Sequence, residues 1–281
     1  MVTVRKLEDL KREIKKVKAN NLSIGFVPTM GYLHDGHKSL MERARKENDV
    51  VVASIFVNPI QFGPNEDYEE YPRDEEHDAK VCMEAGCDIV FMPQASEMYP
   101  DGFCTYVEVS GLTEVLCGAA RPGHFKGVCT VVTKLFNLVR PDKAYFGQKD
   151  AQQLAVIRKM VSDLALGIEI VGCPIVREAD GLAMSSRNSY LSADERQQAL
   201  VLSQSLNIAE KLVRHGVRDV TYIRNEMVNH IGTAKSASLE YVDFVDPNSL
   251  MPVEKIEGEV LVAVAVKIGK TRLIDNKVVT G

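Results

Sequence analysis

SIGFVPTMGYLHDGHKSLMERARKENDVVVASIFV, residues 23–57, reads as strand, glycine loop, helix and strand. The apolar run 23–29 ends at Pro28 and Thr29 and enters a loop carrying Gly31 and Gly36. GHKSLMERARKE, 36–47, places Leu40, Met41 and Ala44 on one face at helical spacing. DVVVASIFV, 49–57, is β-branched and almost continuously apolar, as in a strand covered on both faces.

The same rhythm continues downstream. DEEHDAKVCMEAG (74–86) reads as a helix with acids in its first turn and Gly86 as its stop. DIVFM (88–92) is a buried strand, and TYVEVS (105–110) alternates as an edge or excursion strand would. A helix over 128–139 ends before Pro141, followed by a strand at 143–147, a helix at 151–164 and a strand at 168–174. This predicts an α/β fold, a Rossmann-like parallel sheet with helices on both faces, over residues 1–175. Beyond it, Ser192 with Glu195 is a capping box opening a long helix to about Arg214. A second helix at about 219–231 and strand-like runs at 239–246, 259–269 and 271–276 complete a smaller C-terminal α+β domain, 176–281.

The chain has 281 residues, enough for a sizeable core without disulfide or metal staples. Its net charge of −5 argues against general nucleic-acid binding, which needs a basic surface. The longest apolar stretch, Val260 to Val266, is far short of the ~20 residues of a membrane span. The charged N-terminal segment lacks the apolar centre of a signal peptide, and the six cysteines form no CxxC pair. A cytoplasmic protein with reduced thiols is expected.

Four segments carry candidate chemistry. In PTMGYLHDGHKSL, 28–40, the loop leads from a strand end into a helix. Helix N-termini there offer free N–H groups to anions, and His34 and His37, three apart, can face one side of the turn. FGQKDAQQ, 146–153, sits at another strand end, with Lys149 suited to phosphate, Asp150 to a cap or a ribose hydroxyl, and Gln153 one turn further in. READGLAMSSRNSYLS, 177–192, puts two hydroxyls and a guanidinium (Ser185, Ser186, Arg187) in one loop, a credible phosphate clamp. SIFVNPIQF, 54–62, supplies Asn58 and Gln61, neutral amides that can orient a small polar substrate. RPGHF, 121–125, holds Arg121 and His124 without an evident role. Each segment alone is compatible with an ordinary polar turn. No GxxxxGK[ST] loop occurs.

The HxGH form of His34 to His37 at the first strand–helix turn is the signature of the nucleotidylyl-transferring α/β fold shared with class I aminoacyl-tRNA synthetases, whose mobile KMSKS loop falls where Met184 to Arg187 lie. Taken in order, PTMGYLHDGH, SIFVNPIQF with EEYPR, RPGHF, FGQKDAQQ and MSSRN resemble the pantothenate synthetase (pantoate–β-alanine ligase) family. The resemblance is tightest over 24–190 and implies a homodimer using ATP and magnesium. It implies that pantoate's carboxylate attacks the ATP α-phosphate, giving pantoyl-adenylate and pyrophosphate, and that β-alanine then releases pantothenate and AMP. It carries Met30, Gly31, Tyr32, Leu33, His34, Asp35, Gly36 and His37 to the ATP, with His34 and His37 at the phosphates and His37 the acid. Gly147, Gln148, Lys149 and Asp150 would hold ribose and phosphate, and Val176 would offer backbone to adenine. Met184, Ser185, Ser186 and Arg187 would clamp the phosphates. Gln61 and Gln153 would bind pantoate, and Gln61 would border β-alanine. Lys149, Ser185, Ser186 and Arg187 join the two histidines as catalytic candidates. Tyr32 departs from the family's usual small residue. Acidic residues near Asp78 are linked to magnesium in relatives, but His77 stands beside it, so no protein metal ligand is assigned. The competing expectations are a simple nucleotidylyltransferase acting on a phosphorylated small molecule, and a non-catalytic nucleotide sensor. The first would need a basic acceptor pocket where this chain offers amides.

Overall fold

The computed structural model describes residues 1–281 except residue 65, which lies between the SIFVNPIQF and EEYPR stretches. Six parallel strands form the main sheet: β1 (Val2–Val4), β2 (Ile24–Thr29), β3 (Val50–Ile55), β4 (Ile89–Phe91), β5 (Lys143–Gly147) and β6 (Glu169–Cys173). Their order is β1-β4-β3-β2-β5-β6. The helices between them are α1 (Leu7–Ala19), α2 (Asp35–Glu47), α3 (Glu75–Glu84), α4 (Ala95–Met98), α5 (Leu116–Ala120), α6 (His124–Val139) and α7 (Ala151–Asp163).

Successive side chains of a strand leave opposite faces, so β2 packs two ways. Val27 joins Leu40, Met41 and Ala44 of α2 in one buried cluster. Phe26 meets Phe136 of α6 edge-on at 6.3 Å between ring centroids. Every residue of β3 is buried, which is why it reads as an unbroken apolar run.

The chain packs as two compact units, one of residues 1–148 with 156–174, the other of 149–155 with 175–281. In the second unit β7 (Ala237–Val245), β8 (Glu259–Ile268) and β9 (Thr271–Thr280) form an antiparallel meander. Its helices are α8 (Ala193–Gln198), α9 (Val201–Arg214) and α10 (Val220–Ile231). Val262, Val264 and Val266 of β8 share a buried cluster with Leu202 and Leu206 of α9 and Ile223 and Met227 of α10.

Three expectations need correction. Residues 105–110 form no strand: the Val107 N–H donates to the Thr130 hydroxyl of α6 (3.0 Å) rather than to a β-ladder. The capping box of Ser192 and Glu195 is present, but the helix it opens stops at Gln198. The N–H groups of Leu200 and Leu202 bond three residues back, to Gln197 and Ala199, a local 3₁₀ tightening that separates α8 from α9. The N-terminal segment, read only for its charge, supplies strand β1 against β4 and helix α1, which buries Leu10 and Ile14 one turn apart. Among the described residues no helix is long and apolar enough to cross a membrane.

Candidate active site

From β2 the chain builds outward through β3 to β4, then returns to place β5 on the other side of β2. Strand order therefore reverses between β2 and β5, the point at which open α/β sheets open a ligand crevice at their carboxyl ends. The loop that follows β2 there contains Met30 to His34, while Gly147 ends β5 and Gln148 follows it.

The loop after β2 is fixed largely by backbone contacts. The Thr29 hydroxyl donates to the Ser54 carbonyl of β3 (2.8 Å) and accepts from the Gly31 N–H (3.2 Å). Gly31 and Tyr32 both take left-handed backbone conformations, φ +87° and +50°. A side chain on Gly31 would place its Cβ 2.8 Å from Asp78 Oδ2 and 3.0 Å from Ile55, so only glycine fits. Asp78, on α3 and 1 % exposed, accepts the N–H groups of Tyr32 (2.9 Å) and Leu33 (2.7 Å), one on each carboxylate oxygen. Burial raises its carboxyl above the ordinary range, although the Leu33 and Tyr32 N–H groups pull the other way. Beside it, His77 Nε2 lies 2.9 Å from the Leu33 carbonyl, which can only accept, so that nitrogen carries the proton.

The loop delivers two imidazoles to the start of α2. His34 is the N-cap, its Nδ1 accepting the Gly36 N–H at 3.2 Å, while His37 Nδ1 accepts the His34 N–H at 3.3 Å. The rings lie 4.0 Å apart, centroid to centroid. A ring nitrogen that accepts from a backbone N–H carries no proton, so each neutral ring holds its proton on Nε2. The pair thus forms two N–H donors beside the positive end of a helix.

Gln61 closes a 3₁₀ turn, Pro59–Gln61, just past β3, and is 8 % exposed. Its Oε1 accepts from Asn58 Nδ2 (3.0 Å), and its Nε2 points at Met30 Sδ (3.0 Å). Asn58 is itself held by the Tyr99 hydroxyl (2.7 Å) and by the Gly127 carbonyl (3.2 Å). The structure therefore brings Met30, Gln61, Asn58 and the loop through His37 into one hydrogen-bonded system within the first unit.

In the second unit, residues 176–178 and 182–184 form a tight hairpin. Met184 N–H donates to the Val176 carbonyl (3.0 Å) and Glu178 N–H to that of Leu182 (2.8 Å), with Gly181 at φ +96° in the turn. Ser185 then caps a 3₁₀ turn, Ser186–Tyr190, by accepting the Arg187 N–H. Two consecutive residues of β9 hold this region. Asp275, 2 % exposed, takes a two-pronged ion pair from Arg177 (2.7 and 3.0 Å), and Asn276 Nδ2 donates to the Lys149 carbonyl (2.8 Å). Lys149 Nζ lies 3.9 Å from Asp150 in a 3₁₀ turn, and Gln153 follows, half-buried in the first turn of α7. Arg177 and β9 thus place Val176, Met184 to Arg187 and Lys149 on one scaffold.

Sequence reading did not find what Asp78, Asp275 and Asn276 hold in place. Asp78 hides in an acidic first turn that looks like a helix start signal, and nothing marks Asp275 or Asn276 as tethers. Among the described residues no three His, Cys, Asp or Glu side chains are grouped to hold a metal, and both oxygens of Asp78 are engaged by N–H donors.

The family model for pantoate–beta-alanine ligase matches residues 2–278. A pantothenate synthetase of Clostridium acetobutylicum is 59% identical over 276 residues, 98% of each chain. The pantothenate synthetase of Thermus thermophilus superposes with a TM-score of 0.96 at 47% identity, over 100% of both chains. A pantoate–beta-alanine ligase from Francisella tularensis, solved in complex with beta-gamma ATP and beta-alanine, gives 0.82 at 34% identity, covering 99% of this chain and 97% of that one.

Proposed function

The chain belongs to the pantoate–beta-alanine ligase family, and from that premise we propose that it joins pantoate to β-alanine at the expense of ATP, through a pantoyl-adenylate held in the site. A carboxylate is a poor acyl donor until it gains a leaving group. In this reaction its oxygen attacks the ATP α-phosphorus, and the bond to the bridging oxygen of pyrophosphate breaks. The β-alanine amine then attacks the acyl carbon, and AMP leaves with one former carboxylate oxygen. The product, pantothenate, feeds coenzyme A biosynthesis.

The observation that carries this reading is the histidine pair. Neutral His34 and His37, with their protons on Nε2, are preorganised donors for charge that builds on departing phosphate oxygens. His37 is assigned the proton transfer. The remaining ATP contacts are assigned to Met30 to His37, Gly147, Gln148, Lys149, Asp150, Val176 and Met184 to Arg187. Gln61 and Gln153 are assigned to pantoate, and Gln61 also to β-alanine. The complex of the Francisella ligase supports the choice of ATP and β-alanine as substrates. Magnesium is assigned to the nucleotide as its counter-ion. Among the described residues no three His, Cys, Asp or Glu side chains are grouped to hold it. A homodimer working in the cytoplasm completes the proposal, on the family resemblance.

The test separates the two half-reactions. Pantoate with ATP and magnesium should support exchange of labelled pyrophosphate into ATP without β-alanine, and β-alanine with ATP alone should not. Replacing His34 or His37 by Ala should suppress that exchange. With oxygen-18 in the pantoate carboxylate, one labelled oxygen must appear in AMP after full turnover. Unlabelled AMP would rule the mechanism out.

A further inference from the structure

The RPGHF segment is the motif that the reaction leaves unused, and its geometry is specific. Arg121-Pro122-Gly123-His124 is a type II turn: the His124 N–H bonds the Arg121 carbonyl (3.1 Å), proline occupies the second position, and Gly123 takes φ +82°, ψ −13°. The turn sets the Arg121 and His124 side chains next to each other at the start of α6.

Arg121 is clamped on one side. Its Nε and Nη2 donate to the two oxygens of Glu66 at 2.7 and 2.6 Å, a fork-to-fork pair that fixes the guanidinium plane. The pair is mostly buried, with 15% of the Arg121 side chain and 24% of the Glu66 side chain exposed. Burial alone would raise the Glu66 carboxyl, but the Arg121 hydrogen bonds and charge outweigh it and draw it down to about 2. On the other side Arg121 Nη1 lies 3.2 Å from His124 Nε2. A guanidinium can only donate, so Nε2 is the acceptor and the proton sits on Nδ1. Nδ1 is 2.9 Å from the Gln61 carbonyl and donates to it. The chain of contacts therefore runs in one direction, from Glu66 through Arg121 and His124 to the main chain of Gln61.

We propose that Arg121 and His124 are positioning residues for the acid substrate: they fix the backbone of Gln61, while Asn58 fixes its amide, and so set affinity for pantoate without touching the nucleotide. The proposal rests on the assignment of Gln61 to pantoate made above. His124 holds the main-chain carbonyl of Gln61 and Asn58 its side-chain oxygen, so both ends of the residue are tied. Without the His124 N–H the carbonyl loses its donor and the 3₁₀ turn loosens, although Asn58 stays in place.

Kinetics of four variants of the full-length enzyme test this. An asparagine amide nitrogen falls near the place of histidine Nδ1, and a glutamine one near Nε2. His124→Asn should therefore keep the donor to Gln61 and stay within about threefold of the parent in the Michaelis constant for pantoate. His124→Gln and His124→Leu should raise that constant about tenfold or more, the size expected for one lost hydrogen bond at a binding group, and leave the constant for ATP within about twofold. Gln61→Ala is the reference. If it leaves the pantoate constant unchanged, the assignment of Gln61 falls and this proposal falls with it. If Gln61→Ala raises the constant but asparagine and glutamine at position 124 behave alike, the positioning proposal alone is overturned. Equal rises for ATP and pantoate would also overturn it. Should His124→Leu fail to fold, the asparagine–glutamine comparison still decides.

Discussion

Gly127→Ala sets two opposed effects against each other at the same atom. Gly127 lies in the first turns of α6, where alanine is normally the better residue by ~1 kcal/mol. Here the added Cβ would stand 2.4 Å from the Ile60 carbonyl oxygen, 2.5 Å from Gln61 Cα and 2.7 Å from Gln61 N. All three are backbone atoms, so no rotamer change relieves the contact. Helix and 3₁₀ turn must separate, and overpacking of this kind costs ~1–3 kcal/mol or more. The clash therefore exceeds the helix gain, and the melting temperature should fall by several degrees, at ~2–4 °C per kcal/mol for a chain of roughly this size. The same displacement moves Gln61, and if Gln61 meets pantoate as proposed, a shift of ~1 Å there can cost ~10² in rate. Thermal melts by circular dichroism, with kcat/KM for pantoate and for ATP, provide the readout. Gly63→Ala is the control, because its nearest neighbours are Glu66 side-chain atoms at 3.7 Å, an ordinary contact. A Gly127→Ala protein that melts higher than the parent and keeps its pantoate kinetics would refute the reasoning.

Other consequences are more compact. Lys149→Ala should lower turnover by ~10²–10³ with little change in melting temperature, if the lysine stabilises transition-state charge; near-normal turnover in the folded variant would remove it from the site. Arg177→Met strands the buried Asp275 carboxylate and should destabilise the second unit by ~3–5 kcal/mol, measured by denaturant unfolding. Glu66 is held down from 4.5 to about 2, so its contribution is fully present above about 4.5 and lost as pH falls toward 2. Acid-unfolding curves of the parent and Glu66→Gln should accordingly differ at neutral pH and converge at the acid end; a gap that widens with acidification would contradict the sign.

The alternating elements were legible because each carries its own signal. β3 is apolar throughout, α3 opens with acids and stops at Gly86, and the capping box at Ser192 starts its helix where expected. The histidine loop was legible because its glycines and imidazoles are unusual together at a strand end. The misreadings arise where a partner in space decides. Residues 105–110 alternate like a strand, but a threonine hydroxyl of α6 takes the Val107 N–H. The split between α8 and α9 occurs at Ala199 and Leu200, good helix formers that give no punctuation. The Leu10 and Ile14 spacing of α1 was present in the sequence and could have been used. The supports of the site belong to the same class: Asp78 and Asn276 are ordinary residues whose importance comes from the backbone groups they meet 46 and 127 positions away.

That last separation also orders events in time. The carbonyl of Lys149 is tied to Asn276 on β9, and Arg177 to Asp275 next to it. At the ~5–20 residues per second of synthesis, the lysine leaves the ribosome roughly 6–25 s before its tether exists. During that interval β5 and its parallel neighbours can already pair, but the short segment 149–155 has no β9 to settle on. A nascent chain can thus complete most of its large sheet while the segment proposed to meet the phosphates stays unfixed. The segment that carries Lys149 therefore settles only once β9 has been made, well after the sheet it follows.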